Sequence, residues 1–149
     1  MKIRRAVPED FFELAALDRE VWKDFEFIPD GEHVWRLWTE HGIVSCVEVD
    51  SRIVGAILAF PCANGSYCVH KVFVKEGFRG EGLGSRLFEL LLKDLDKQNL
   101  ASFLTVDPTN EAAIALYEKW GYTERKFVKG YYRPEEDRYV LSRALGNLE

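Results

Sequence analysis

Val74-Lys75-Glu76-Gly77-Phe78-Arg79-Gly80-Glu81-Gly82-Leu83-Gly84-Ser85-Arg86-Leu87 joins a strand-like run to a helix-like one. Glycines at alternate positions let the backbone turn tightly and bring its N–H groups close to a ligand. The helix that follows adds unpaired amides and the positive end of its dipole, which together favour an anion. A basic side chain, Arg79, opens the loop. No Gly-Lys-Ser/Thr follows, so this is not a Walker loop, and glycines spaced by two throughout are not the Rossmann fingerprint. A diphosphate is the natural guest. The alternative is a glycine-rich turn that holds nothing.

Upstream of the loop lie three strand-like runs, Ile43–Val49, Ile53–Phe60 and Tyr67–Val74, with turns at Ser51-Arg52 and Pro61–Ser66. Residues 2–7 read as a first strand. Pro8-Glu9-Asp10 is a helix-start signal, with acids where the dipole favours them. Phe11, Leu14, Leu17, Val21 and Trp22 then recur at helical spacing. Pro29, Asp30 and Gly31 break that pattern, and His33–His41 reads as a short second helix.

Downstream, Ser85–Gln98 is a helix expected to turn Leu87, Leu90, Leu91 and Leu95 to the core. A strand over Ala101–Val106 and a helix over Asn110–Trp120 come next, with Gly121 as a left-handed cap. Thr123–Tyr132 and Arg138–Ser142 read as a closing hairpin around Pro134–Asp137. The expected fold is α+β: one mixed sheet with helices on its faces, in a single domain over residues 1–149.

Composition narrows the function. A hydrophobic share of 47% over 149 residues is ample for one core. The net charge of −5 argues against a nucleic-acid binder, which usually carries a basic face. The longest apolar run, Ile53–Phe60, is too short to span a bilayer, and no apolar segment follows the first basic residues as in a secretory signal. Cys46, Cys62 and Cys68 are an odd count without Cys-x-x-Cys spacing, which reads as reduced thiols and a cytoplasmic setting. His33, His41 and His70 show no metal-ligand spacing, so no metal is expected.

The glycine loop resembles the acetyl-CoA loop of the GNAT N-acetyltransferases, whose Arg/Gln-x-x-Gly-x-Gly/Ala signature is met by Arg79, Gly82 and Gly84. Asp107–Tyr122 is similar to that family's second cofactor motif, Asn-x-x-Ala-x-x-x-Tyr-x-x-x-Gly-Phe/Tyr, through Asn110, Ala113, Tyr117, Gly121 and Tyr122. The likeness runs from Ile3 to Leu141. It implies about seven strands, mostly antiparallel, flanked by about four helices, with splayed central parallel strands holding acetyl-CoA. The reaction it implies is direct transfer of acetyl to a primary amine in a ternary complex.

Residue by residue, the resemblance gives the pyrophosphate to the loop from Arg79 through Gly80, Glu81, Gly82 and Leu83 to Gly84. Pantetheine falls to the main chain of Val72, Phe73 and Val74, whose amides would also polarise the thioester carbonyl. Asn110 would bond the pantetheine arm or cap its helix. Tyr117 would be the general acid that protonates the departing thiolate; a phenol is still protonated at neutral pH. Asn110 and Tyr117 are seven residues apart, two helical turns, and so project from nearly one face. The alternative for Tyr117 is a packing role.

The base is harder to place. The positions at which relatives carry a glutamate are Cys68 and Thr105 here. His70 remains the best candidate, since histidine titrates near neutrality and His70 shares a strand face with Cys68. Water relayed to the acidic 135–137 turn is another route to deprotonation; Cys68 beside His70 separately raises a ping-pong mechanism through an acetyl-cysteine.

For the acceptor, Trp22, Phe25, Phe27, Trp35 and Trp38 interleave with Asp24, Glu26, Asp30 and Glu32, as aromatic walls for an amine or as plain core and rim. Gly130–Leu141 resembles the terminal hairpin of peptide N-terminal acetyltransferases, whereas His70–Val74 is similar to small-amine and polyamine acetyltransferases. The acceptor is thus a small amine or a peptide N-terminus, with no nucleic acid and no membrane, and a homodimer is allowed. The competing class is a non-catalytic acyl-CoA-binding regulatory module on the same fold, motivated by the missing carboxylate base.

Overall fold

A computed structural model of the chain describes residues 1–23 and 28–144. Seven strands form one sheet in the order β1-β2-β3-β4-β5-β7-β6. They are β1 (Lys2–Arg5), β2 (Ile43–Val49), β3 (Arg52–Pro61), β4 (Tyr67–Val74), β5 (Ser102–Val106), β6 (Glu124–Val128) and β7 (Arg138–Arg143). The helices are α1 (Phe11–Trp22), α2 (Glu32–His41), α3 (Leu83–Lys97) and α4 (Glu111–Lys119). The expected mixed α+β architecture is therefore present. Among the described residues no helix is long and apolar enough to cross a membrane. The chain divides into two compact units, one built from Met1–Pro61 and His70–Asp94, the other from Cys62–Val69 and the residues from Leu95 onward.

In the first unit, β3 is buried on both faces, which is why Ile53–Phe60 reads as an unbroken apolar run rather than an alternating one. β1 and β3 flank β2 antiparallel. Against this sheet Leu14, Leu17, Val21 and Trp35 pack with Val44, Ala56, Leu58 and Phe73. Pro8–Asp10 forms a turn of 3-10 helix ahead of α1, and the Asp10 carboxylate accepts from the Val7 N–H at 2.8 Å. The β2–β3 turn falls on Asp50-Ser51 and not Ser51-Arg52: both have positive φ (49° and 63°), and Val49 pairs with Arg52. That is the twist a two-residue hairpin demands.

Helix α3 begins at Leu83, earlier than expected, because Gly82 with φ 75° already turns the chain. Its buried face is Leu83, Leu87, Phe88, Leu91, Leu92 and Leu95; Leu90 lies off its centre and is half-buried.

Gly42 caps α2, donating its N–H to the Trp38 carbonyl at 2.8 Å. Its backbone is extended and open to any residue, so space alone selects glycine. A Cβ there would stand 2.8 Å from the Ala59 carbonyl oxygen and 2.9 Å from that of Trp38. Neither backbone oxygen can swing away. Gly42→Ala is expected to destabilise by about 1–3 kcal/mol, the usual cost of overpacking, read as a lower urea midpoint at unchanged m-value.

In the second unit, β4 and β5 pair in parallel through Tyr67↔Ser102 and Cys68↔Phe103. β7 pairs antiparallel with both β5 and β6. Leu104, Ile114, Tyr122 and Leu141 are buried there, and the Tyr122 hydroxyl is 2.8 Å from the Ser102 hydroxyl. Helix α4 stops at Lys119, one residue short of the expected end, and Gly121, φ 98°, takes the expected left-handed conformation just beyond it. The closing hairpin is shorter than expected. β6 stops at Val128, and residues 129–137 form a turn in which the Asp137 carboxylate accepts from Gly130 N–H (2.8 Å) and the Glu136 carbonyl from Tyr131 N–H (2.9 Å).

Candidate active site

The candidate residues occur in both units. The glycine loop belongs to the first. Gly77, Gly80 and Gly82 all have positive φ (95°, 82° and 75°), and open space surrounds the place a Cβ would take at each. Conformation, not crowding, therefore requires glycine there. Gly84 is different: it sits inside the first turn of α3, where a Cβ would meet only Val72 Cγ2, at 3.9 Å. The chain accepts a side chain at Gly84, so the space left beside the helix start is its notable property. Arg86 N–H donates to the Gly82 carbonyl, which leaves the amides of Leu83, Gly84 and Ser85 ahead of that bond. Glu81 is exposed on the same turn. The Arg79 Nε–H, expected to serve an anion, donates to the Val74 carbonyl at 2.8 Å and ties the loop to the end of β4. Phe73 is buried against Trp35, with Val72 and Val74 half-buried on either side.

His70 stands on β4 beside a polar cluster that sequence reading did not assemble. Its Nε2 lies 3.1 Å from Oδ2 of Asp30. Lys71 Nζ is 2.6 Å from that same oxygen and donates to both oxygens of Asp18, at 2.9 and 2.7 Å. Asp18 has no exposed surface and also accepts from Trp35 Nε1–H (3.1 Å) and Asp30 N–H (3.0 Å). Burial alone would raise the Asp30 carboxyl, but hydrogen bonds and charge from His70 and Lys71 outweigh it and hold it below the usual carboxylate range. The His70 ring rests edge-on against Trp38 and Phe60, which stack on each other at 5.9 Å.

The sequence offered one signal for this cluster. Asp18 falls between Leu14 and Val21 on the apolar face of α1, where a carboxylate needs a buried partner. The expected aromatic wall is thus largely core: Trp35 is fully buried, and Trp22 and Trp38 are half-buried against it. Glu32 pairs with Arg19 at 3.8 Å. Asp24, Phe25, Glu26 and Phe27 lie outside the described residues.

In the second unit, Asn110 is the N-cap of α4, its Oδ1 accepting from Ala113 N–H at 3.2 Å. Of the two roles open to it, capping is the one seen. Tyr117 is half-buried, with its ring edge-on to Tyr122 at 6.4 Å, and burial pushes its phenol above the ordinary value. Thr105 shares a 2.8 Å hydrogen bond with the Tyr132 hydroxyl. Tyr131 packs edge-on to Tyr132, and the Arg138 guanidinium lies 5.3 Å from the Tyr132 ring centre.

Two alternative routes lose ground. Burial pushes the Cys68 thiol up to about 12, which disfavours the thiolate an acetyl-cysteine would need. In the 135–137 turn, Asp137 is engaged by Gly130 and Glu136 by Arg133 (3.0 Å) and Arg138 (3.5 Å). Among the described residues no group of three or more His, Cys, Asp or Glu is placed to hold a metal ion.

Comparison with known proteins gives a consistent result. A model of the acetyltransferase (GNAT) family matches residues 8–122. An N-alpha-acetyltransferase of Saccharolobus solfataricus is 37% identical over 120 residues, 71% of this chain and 72% of that one. The ribosomal protein bS18-alanine N-acetyltransferase of Escherichia coli is 37% identical over 68 residues, 45% of this chain and only 46% of that relative's length. The crystal structure of the Escherichia coli ribosomal-protein-S18-alanine N-acetyltransferase superposes with a TM-score of 0.80 over 99% of this chain and 98% of that one; at 20% identity this likeness speaks for the fold alone.

Proposed function

Because the chain belongs to the GNAT family of acetyltransferases, we propose that it transfers acetyl from acetyl-CoA to the α-amine of a peptide N-terminus. Family membership makes it an acetyl-CoA-dependent acyltransferase that acts on an amine. The observation that carries the reading is the glycine loop: three glycines in left-handed conformation deliver the chain into α3 with the amides of Leu83, Gly84 and Ser85 ahead of the first helical bond. That donor set suits a diphosphate. The peptide acceptor is supported by the activities named for the two relatives and by the Tyr131–Tyr132 pair of the closing turn.

Acetyl-CoA supplies the acetyl group as a thioester, already activated toward an amine. The amides of the loop from Arg79 to Gly84 hold its pyrophosphate, and the main chain of Val72, Phe73 and Val74 holds the pantetheine and polarises the acyl oxygen. His70 removes the proton that an ammonium must lose before its lone pair can attack. Tyr117 gives its proton to the sulfur as the carbon–sulfur bond breaks, and its raised phenol stays protonated well above neutral pH. The net charge of −5 supports a reading without nucleic acid. A cytoplasmic setting and a homodimer complete the proposal; light scattering tests the latter.

The test is thiol release from acetyl-CoA across peptide N-termini, polyamines and small amines. Turnover of alanine-initiated peptides ahead of spermidine is the expected result. Turnover of polyamines alone would overturn the peptide reading. Acetyl-CoA binding by calorimetry with no turnover of any amine would instead leave a regulatory acyl-CoA module.

A further inference from the structure

We propose that Asp30 is the positioning residue for His70, fixing its ring so that Nε2 carries the proton and Nδ1 receives the proton of the incoming amine. The inference rests on the reading of His70 as base. A carboxylate only accepts hydrogen bonds, so the 3.1 Å contact between His70 Nε2 and Asp30 Oδ2 places the ring proton on Nε2. A neutral imidazole has one donor and one acceptor nitrogen, and Nδ1 is therefore the basic one.

Asp30 is itself held twice. Its N–H donates to Asp18 Oδ2 at 3.0 Å, and its carboxylate takes the Lys71 ammonium at 2.6 Å. Lys71 and Asp18 are in turn locked by two hydrogen bonds, with Trp35 closing the cluster from α2. The arrangement is a carboxylate orienting an imidazole, anchored through a buried ion pair, which is the logic by which a third group fixes a catalytic histidine. Charge supports it as well. Asp18 and Asp30 against Lys71 leave one negative charge, and the imidazolium formed as the amine loses its proton balances it. Trp38 and Phe60 also rest edge-on against the ring.

Two measurements test this. Long-range nitrogen–proton NMR of the protein at alkaline pH should show His70 protonated on Nε2, with the Nδ1–H form appearing in Asp30→Ala. A wild-type ring protonated on Nδ1, or a tautomer unmoved by Asp30→Ala, would overturn the proposal whether or not the variant is active. In kinetics with acetyl-CoA and an alanine-initiated peptide, Asp30→Ala should lower kcat roughly tenfold to a hundredfold. In a His70→Gln background the same change should cost less than about twofold, since two groups acting as one unit are not additive. Equal losses in both backgrounds would give Asp30 a role independent of His70 and sink the proposal. If His70→Gln itself leaves kcat intact, the base reading fails first, and the ring measurement alone judges the tautomer.

Discussion

Tyr117→Phe is expected to lower kcat about a hundredfold, the lower end of what a general acid contributes, while acetyl-CoA binds with unchanged affinity. The lower end is chosen because a thiolate already leaves more readily than an alkoxide or amide, so the acid has less to supply. Phenylalanine keeps the ring that meets Tyr122 edge-on at 6.4 Å, and so retains the packing on that face of α4. What it removes is the proton that the proposed mechanism gives to the departing sulfur. Burial raises the Tyr117 phenol, so wild-type enzyme should hold its rate on the alkaline side until the pH approaches that raised value. Thiol release followed at saturating acetyl-CoA, with calorimetry of acetyl-CoA binding, separates the two effects. An unchanged kcat removes Tyr117 as the acid; a loss of acetyl-CoA affinity equal to the loss of rate makes it a binding residue instead.

Elements whose identity depends on local burial were legible in the sequence, and groupings that depend on register were not. The run Ile53–Phe60 reads as a strand, and the spacing from Leu87 to Leu95 as a helix face; both are buried in the fold. The turn lies one residue earlier than the sequence suggests, at Asp50-Ser51, because neither residue advertises positive φ as glycine does. The sequence suggests a longer hairpin because Tyr131 and Tyr132 have strand-like side chains, yet contacts to Glu136 and Asp137 hold residues 130–131 in a turn. The polar cluster is not legible in the sequence for a different reason. Lys71 and Asp18 lie 53 positions apart, and only the packing of α1 and α2 against the sheet brings them together. His70 can be nominated from its residue type, but the sequence presents its partner Asp30 only as a loop former and as a carboxylate of the acceptor wall or its rim.

The same cluster should dominate the stability of its unit, and Lys71→Met is the variant that exposes this. Methionine fills the space of the lysine stem, and the Lys71 side chain is only 11% exposed, so little packing is lost. What is lost is the counter-charge of Asp18, a carboxylate with no exposed surface. The N–H groups of Trp35 and Asp30 remain as donors, but neither carries charge. Stranding one member of a buried ion pair costs about 3–5 kcal/mol, which for a chain of this length lowers Tm by about 10 °C. A crowded core could give a similar loss for other reasons, and a second variant separates them. Asp18→Asn combined with Lys71→Met removes the stranded charge while the amide oxygen still accepts a hydrogen bond. The double variant should therefore be more stable than Lys71→Met alone, by about 1–3 kcal/mol, in urea denaturation at constant m-value. If the double variant is no better than the single one, the loss comes from packing around Lys71 and not from its charge.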